Sequence, residues 1–405
     1  MSLASVPEWG PEGSGRAAPD GVARGRIAQL LARYPVFDGH NDLPMRLLHD
    51  HDDDVEAADL TSVHLTRHTD IPRLRAGGVG AQFWSVFVPP TLPGPQAVVA
   101  TLKQIDCVYA LVARHPQVFT MARTAAEVRA AMRAGTIASL IGVEGGHQID
   151  ESLAVLRMYH VLGVRYLTLT HTVTTSWADA ATDVERHGGL TAFGREVVAE
   201  LNRLGMLVDL SHVSTGTMSD ALDASRAPVV FSHSSCRELT DHPRNVPTQI
   251  MARLRANGGV QMLTMVPSFV SQQCADHEAA RDREVRRLGL DPHDPGGAVP
   301  EGAAARLVAW DRAHPRPRAT LAQVVAHLEF AREILGVDHI GFGADFDGVA
   351  DLPDGITGVD AYPAVLEALL DRGWSEADLA QLTCLNVLRV LQEAQDCTHS
   401  GGPTP

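Results

Sequence analysis

Six short apolar runs in this chain end on side chains that can bind a divalent cation. The run PVFDGHN at 35–41 carries His40, with Asp42 two residues further on, and residues two apart project to the same side of an extended chain. ASLIGVE at 138–144 ends in Glu144 and is followed by Gly145 and Gly146, which let the backbone turn tightly beside a bound group. Four more runs, at 164–171, 206–212, 228–233 and 339–345, end in His171, His212, His233 and Asp345. One strand-end histidine alone would read as a satisfied core or capping residue. Six runs closed in this way favour a metal site. Imidazole and carboxylate suit zinc and similar ions, and catalytic sites keep a position open for water. One ion could take His40, Asp42 and Glu144, and a second Glu144, His212 and His233, with the shared carboxylate holding them roughly 3.5–4 Å apart.

The elements that must position these residues are strands. Eight runs (35–41, 79–88, 138–144, 164–171, 206–212, 228–233, 259–266 and 339–345) are apolar almost throughout, as parallel strands covered on both faces are. Stretches of helical period lie between them, at 98–114, 150–162, 190–205 and 215–225 among others. Repeated strand–helix units predict an α/β protein with a parallel sheet, and eight of them predict a closed (β/α)8 TIM-type barrel with inserted loops and helices; an open doubly wound sheet is the alternative. Reacting groups in such barrels sit at the C-terminal strand ends, where these candidates fall. The expected organisation is an unstructured segment over 1–25, one barrel domain over 26–395 with an insertion or lid near 270–320, and a flexible tail over 396–405. The insertion is charged and contains DPHDPGGAVPEG. The acidic run at 51–54 reads as solvated loop and is given no role.

Composition narrows the function. The 405 residues are 45% hydrophobic, enough for a large core. The formal net charge of -15 argues against nucleic acid as a partner. Five cysteines, an odd number without CxxC spacing, read as free thiols. The first 25 or so residues hold no apolar signal core, no run approaches the roughly 18 apolar residues of a membrane helix, and the tail CTHSGGPTP has no hydrophobic anchor segment. A soluble, cytoplasmic protein with no membrane partner is expected. Lys103, the one lysine, lies in a predicted helix away from every strand end. A lysine bridge between two ions, a Schiff base and PLP chemistry are thereby disfavoured, and Glu144 is left to do any bridging.

Seven segments resemble the renal or membrane dipeptidases, a family of the amidohydrolase superfamily: DGHNDLP at 38–44, GVEGGH at 142–147, YLTLTH at 166–171, DLSHVS at 209–214, SHSSCR at 232–237, HPRNVP at 242–247 and GFGADFDG at 341–348. The resemblance implies two zinc ions per chain on His40, Asp42, Glu144, His212 and His233. It implies that His171 binds the substrate carbonyl or the developing oxyanion, that Arg244 binds the substrate's C-terminal carboxylate, and that Asp345 handles protons or the free amino group. Asn245 and Trp177 would be further pocket residues. The resemblance also implies dipeptide substrates, L-Xaa-D-Xaa among them, and a homodimer.

The chemistry expected of such a site is hydrolysis. Two ions lower the pKa of a shared water toward about 7, making hydroxide available as the nucleophile, while Asp345 moves its proton and His171 stabilises the oxyanion. Arg244, a planar two-pronged donor, would require a free C-terminus. Competing readings are another two-metal hydrolase acting on a lactone, phosphoester or cyclic amide, a mononuclear deaminase, and a barrel that binds without catalysis.

Overall fold

A computed structural model describes residues 19–51, 55–290 and 300–398. Its strands are β1 (Val36–Asn41), β2 (Val79–Phe87), β3 (Phe119–Met121), β4 (Ile137–Glu144), β5 (Val164–Thr168), β6 (Leu207–Asp209), β7 (Val230–Phe231), β8 (Val260–Leu263) and β9 (Ile340–Phe342). All pair in parallel, and the contacts β9–β1 and β2–β4 close eight of them into a barrel. This is the (β/α)8 architecture the alternating pattern predicts. The ninth strand, β3, stands outside the ring and pairs with the start of β4, from Phe119 opposite Ile137 to Met121 opposite Ser139. Three residues with an exposed Thr120 in the middle are too short to register as an apolar run.

The barrel is filled, and its filling sets up the site. Gly142 on β4 leaves room for the ring of Tyr166, since a Cβ there would lie 1.9 Å from the ring. Phe37 stacks on Phe83 at 5.5 Å and Phe83 packs on Tyr166 at 4.8 Å. Below them Val387, Leu388 and Leu391 of the Asn386–Cys397 helix plug the barrel. Tyr166 therefore stands upright, with its hydroxyl 3.0 Å from Nδ1 of His40.

Several expectations need correction. A helix at Pro19–Arg33 begins within the segment expected to lack structure, and its Ile27, Leu30 and Leu31 are buried in the core; residues 1–18, 52–54 of the acidic run and 399–405 of the tail lie outside the described residues. The Gly94–Arg114 helix, contrary to expectation, is long and apolar enough to cross a membrane by length and composition. Here its Ala97, Thr101, Ile105, Val108 and Leu111 are buried against the barrel. The excursion near 270–320 contains helices at Gln272–Arg287 and Ala303–Ala313. The first buries just Cys274, Ala275 and Val285, so it carries no apolar stripe by which a helix is recognised.

Gly142→Ala is expected to force Tyr166 out of place and to cost about 1–3 kcal/mol, read as a lower guanidinium unfolding midpoint. Gly25→Ala serves as the control, because nothing would lie within 4 Å of the added methyl group there and the backbone is outside the left-handed region; comparing the two separates crowding from the loss of glycine itself. An unchanged midpoint for Gly142→Ala would refute the packing account.

Candidate metal centre

The strand-end side chains converge on Glu144, the last residue of β4. Its Oε1 lies 2.8 Å from Nε2 of His212, 3.4 Å from Nε2 of His233 and 3.8 Å from Nε2 of His171. Its Oε2 faces the other way, 3.5 Å from Nε2 of His40, and accepts the Ser85 hydroxyl at 3.0 Å. Around His40 stand Oδ2 of Asp42 at 3.3 Å and Oδ1 of Asp345 at 3.9 Å. Three groups could each hold an ion: His40 with Glu144 and His233, Glu144 with His171 and His212, and His40 with Asp42 and Asp345, the donor atoms of each within 4.8 Å of one another. Ligands bound at about 2.0–2.2 Å in a tetrahedron stand roughly 3.4 Å apart, so these spacings suit a shared cation.

Outer hydrogen bonds decide which imidazole nitrogens are bare. Asp209, buried at the end of β6, accepts the hydroxyls of Thr168 and Ser232 on Oδ2, each at 2.6 Å. The single hydroxyl proton of Ser232 is thereby used, so Ser232 Oγ accepts from Nδ1–H of His233 at 2.8 Å. His233 then presents an unprotonated Nε2, which accepts from Nη2 of Arg244 at 2.6 Å; a guanidinium can only donate. Tyr166, reaching the Gly39 carbonyl at 3.4 Å, can accept from Nδ1 of His40 in the same manner. That leaves His40 Nε2 buried and without a hydrogen-bond partner among the described residues. A buried ring nitrogen set among carboxylates in this way fits a metal ligand.

The electrostatics agree. Burial pushes Glu144 up, but His40, His212 and His171 outweigh it and hold the carboxyl well below its usual range. Burial disfavours charge on His40, yet Tyr166, Glu144 and Asp42 raise its affinity for positive charge well above the ordinary value. Burial, with Arg244 adding to it, keeps His212 and His233 well below theirs, and burial takes His171 down to about 4. Asp345 is raised to about 8 by burial, with Asp42 and Glu144 adding to it and His40 opposing. The site thus favours positive charge beside its carboxylates and keeps His171, His212 and His233 neutral.

A cavity of about 840 Å³ opens above these groups, with Asp42, Glu144, His171, His212, Arg244 and Asp345 in its walls. Arg244 is buried, lies over the Phe269 ring at 5.0 Å, and has Nη1 without a partner among the described residues. His212 and Asp345 sit in the left-handed backbone region, at φ 70° and 66°, a conformation that side-chain-bearing residues hold chiefly where the surrounding structure fixes it. Two expected pocket residues lie elsewhere. Asn245 donates to the carbonyls of Thr240 and Phe269 at 2.9 and 2.8 Å and accepts from the Ser235 amide at 3.1 Å, so it braces the loop that carries Arg244. Trp177 is buried under Gly146, packs edge-on to Phe193 and lines a separate cavity of about 240 Å³. Asp209, Ser232 and Tyr166 do not stand out in the sequence as site residues. An acidic residue inside the apolar run MLVDLSH is the one signal available there.

Fold and donor set together define a metal-dependent barrel hydrolase. A family model described as membrane dipeptidase, peptidase family M19, matches residues 24–401, and the chain belongs to that family. It is similar to the dipeptidase aclJ of Aspergillus oryzae, 37% identical over 94% of this chain and 83% of that protein, and to dipeptidase 3 of Rattus norvegicus, 36% identical over 92% of this chain and 67% of that one. Among solved structures, a metallopeptidase from Rhodobacter sphaeroides liganded with a phosphinate mimic of the dipeptide L-Ala-D-Ala matches at a TM-score of 0.72 and 27% identity, over 89% of this chain and 99% of that one. The probable dipeptidase PvdM of Pseudomonas aeruginosa shares the fold at a TM-score of 0.81 and 22% identity, over 94% and 100%. Membership makes this chain a metallopeptidase of the dipeptidase class.

Ser232→Ala removes the acceptor that fixes His233 while leaving every direct donor in place. It is expected to weaken metal binding about 10–100-fold, measured by competition against a chromogenic chelator. Unaltered affinity would mean that Ser232 does not set the tautomer.

Proposed function

We propose that the protein hydrolyses free dipeptides, L-Xaa-D-Xaa among them, with two zinc ions that His40, Asp42, Glu144, His212 and His233 would hold. The observation that carries this reading is the division of Glu144, Oε2 toward His40 and Oε1 toward His212 and His233, in the same cavity as Arg244, whose Nη1 has no partner among the described residues. His40 and Asp42 would hold one ion and His212 and His233 the other, Glu144 spanning both. When bound, such a pair supplies an acidified water and polarises the scissile carbonyl.

The chain's own residues account for the rest. Arg244 takes the C-terminal carboxylate, and its two-pronged donor set fixes the substrate at that end. His171, neutral at working pH and anchored through Nδ1 to the Thr172 hydroxyl at 3.2 Å, donates or orients at the carbonyl oxygen through Nε2. Asp345 carries a proton between water and the leaving amine on Oδ1, a role suited to a carboxyl lifted toward neutral pH. Burial around these groups keeps bulk water from competing. The L-Ala-D-Ala mimic in the Rhodobacter enzyme supports a D residue at the C-terminal position.

Zinc-loaded protein should release amine from L-L and L-D dipeptides, should leave the same peptides intact when their C-termini are blocked, and should carry about two zinc ions per chain by mass spectrometry. Equal cleavage of blocked peptides would remove the carboxylate requirement, and one ion per chain would remove the pair. Arg244→Ala is expected to raise KM for dipeptides about 10-fold or more, the cost of a lost charged hydrogen bond, with zinc content unchanged. An unaltered KM would take Arg244 out of the substrate site.

A further inference from the structure

We infer that Ala275 and Ala279 of the Gln272–Arg287 helix form the wall of a subsite for a bulky apolar side chain on the substrate's C-terminal residue. This rests on the dipeptidase reading given above, in particular on Arg244 as the carboxylate anchor.

Three observations lead there. The helix is fastened to the Arg244 loop: the Asp241 amide donates to Gln272 Oε1 at 2.7 Å, and Nε2 of His242 lies 3.3 Å from Oε2 of Glu278. His242 in turn accepts the Arg244 amide on Nδ1 at 3.2 Å and packs, tilted, on Phe269 at 4.6 Å. The helix therefore stands at a fixed place beside the anchor. Second, the helix lines the cavity with the charged Asp276, Glu278, Asp282, Arg283 and Arg286 and with two small residues one turn apart, Ala275 and Ala279, and Val266 and Phe269 line the same cavity. A helix repeats its face every three to four residues, so these two alanines leave a gap among the charged side chains, in the cavity that Val266 and Phe269 also line. Third, Arg244 itself is buried with Nη1 lacking a partner among the described residues, which marks where a ligand's anionic end belongs. The cavity of about 840 Å³ lies in the upper part of the roughly 300–1,000 Å³ range that encloses a drug-sized ligand. With its carboxylate on Arg244, a dipeptide would offer the side chain on the adjoining carbon to this hollow, which lines the same cavity. Leucine- or phenylalanine-sized groups would displace water there against Val266 and Phe269, whereas glycine would leave it unfilled.

Ala279 is exposed to the cavity and helical, and leucine is a good helix former, so Ala279→Leu fills the hollow without disturbing the fold. Zinc-loaded wild-type and variant proteins would be assayed on Ala-Gly, Ala-Leu and Ala-Phe in both configurations of the second residue. Phosphinate mimics of the same peptides would be titrated by calorimetry. The wild type should prefer Leu or Phe to Gly at the C-terminal position by about 10-fold or more in kcat/KM, one to two buried methylenes or more being enough for that. In Ala279→Leu that ratio should fall about 10-fold or more, through a higher KM for the Leu and Phe peptides. A ratio unchanged by the substitution, or a wild type that favours Gly, overturns the subsite and leaves the dipeptidase reading standing. Mimics that bind with the expected side-chain preference to a protein that cleaves none of the peptides support the subsite and overturn the dipeptidase reading. If no mimic binds, both fall.

Discussion

Buried carboxylates repel one another, and the centre of this barrel holds Asp42, Glu144 and Asp345 around a fully buried His40. Such a group is stable when positive charge joins it. A proton on His40 supplies some of that charge and divalent cations would supply more, and the rest of the architecture follows from the need to hold the donors still while they wait. Glu144 is the pivot, because each of its oxygens faces a different set of imidazoles.

The supports lie one layer deeper and are made by residues with no access to the cavity. Asp209 ties β5 to β7 through Thr168 and Ser232 and so orients His233. Asp38 accepts the amides of His40 and Ala344 at 2.7 and 3.1 Å and the hydroxyl of Tyr362, joining the ligand strand β1 to the segment that leads to Asp345. Tyr166 props His40 from beneath, and can do so because Gly142 has no side chain. Each carboxylate in this layer is buried yet fully engaged, the condition under which a buried polar network stiffens a core.

The eight barrel strands and all seven residues at their ends were legible because a strand in a parallel barrel is apolar until it reaches the chamber, so a polar residue at its close stands out. What stayed hidden lacked that contrast. β3 has three residues and one buried face. Trp177 and Asn245 sit in loops, where position along the chain says little about direction in space, and both turned out to brace loops behind the wall. The Gln272–Arg287 helix has few buried positions and thus no apolar period, although it lines the cavity. Asp209 and Ser232 sit within recognised motifs, but their role depends on which strand neighbours which.

The chamber has two kinds of wall. Its floor comes from short turns after the strands, fixed by the barrel beneath them. One side comes from a helix inserted between β8 and β9, tied to the Arg244 loop through Gln272 and Glu278. Such a division lets the two parts diverge at different speeds: the insertion can be lengthened, recast or exchanged among descendants to admit new substrates, while the reacting centre is inherited whole.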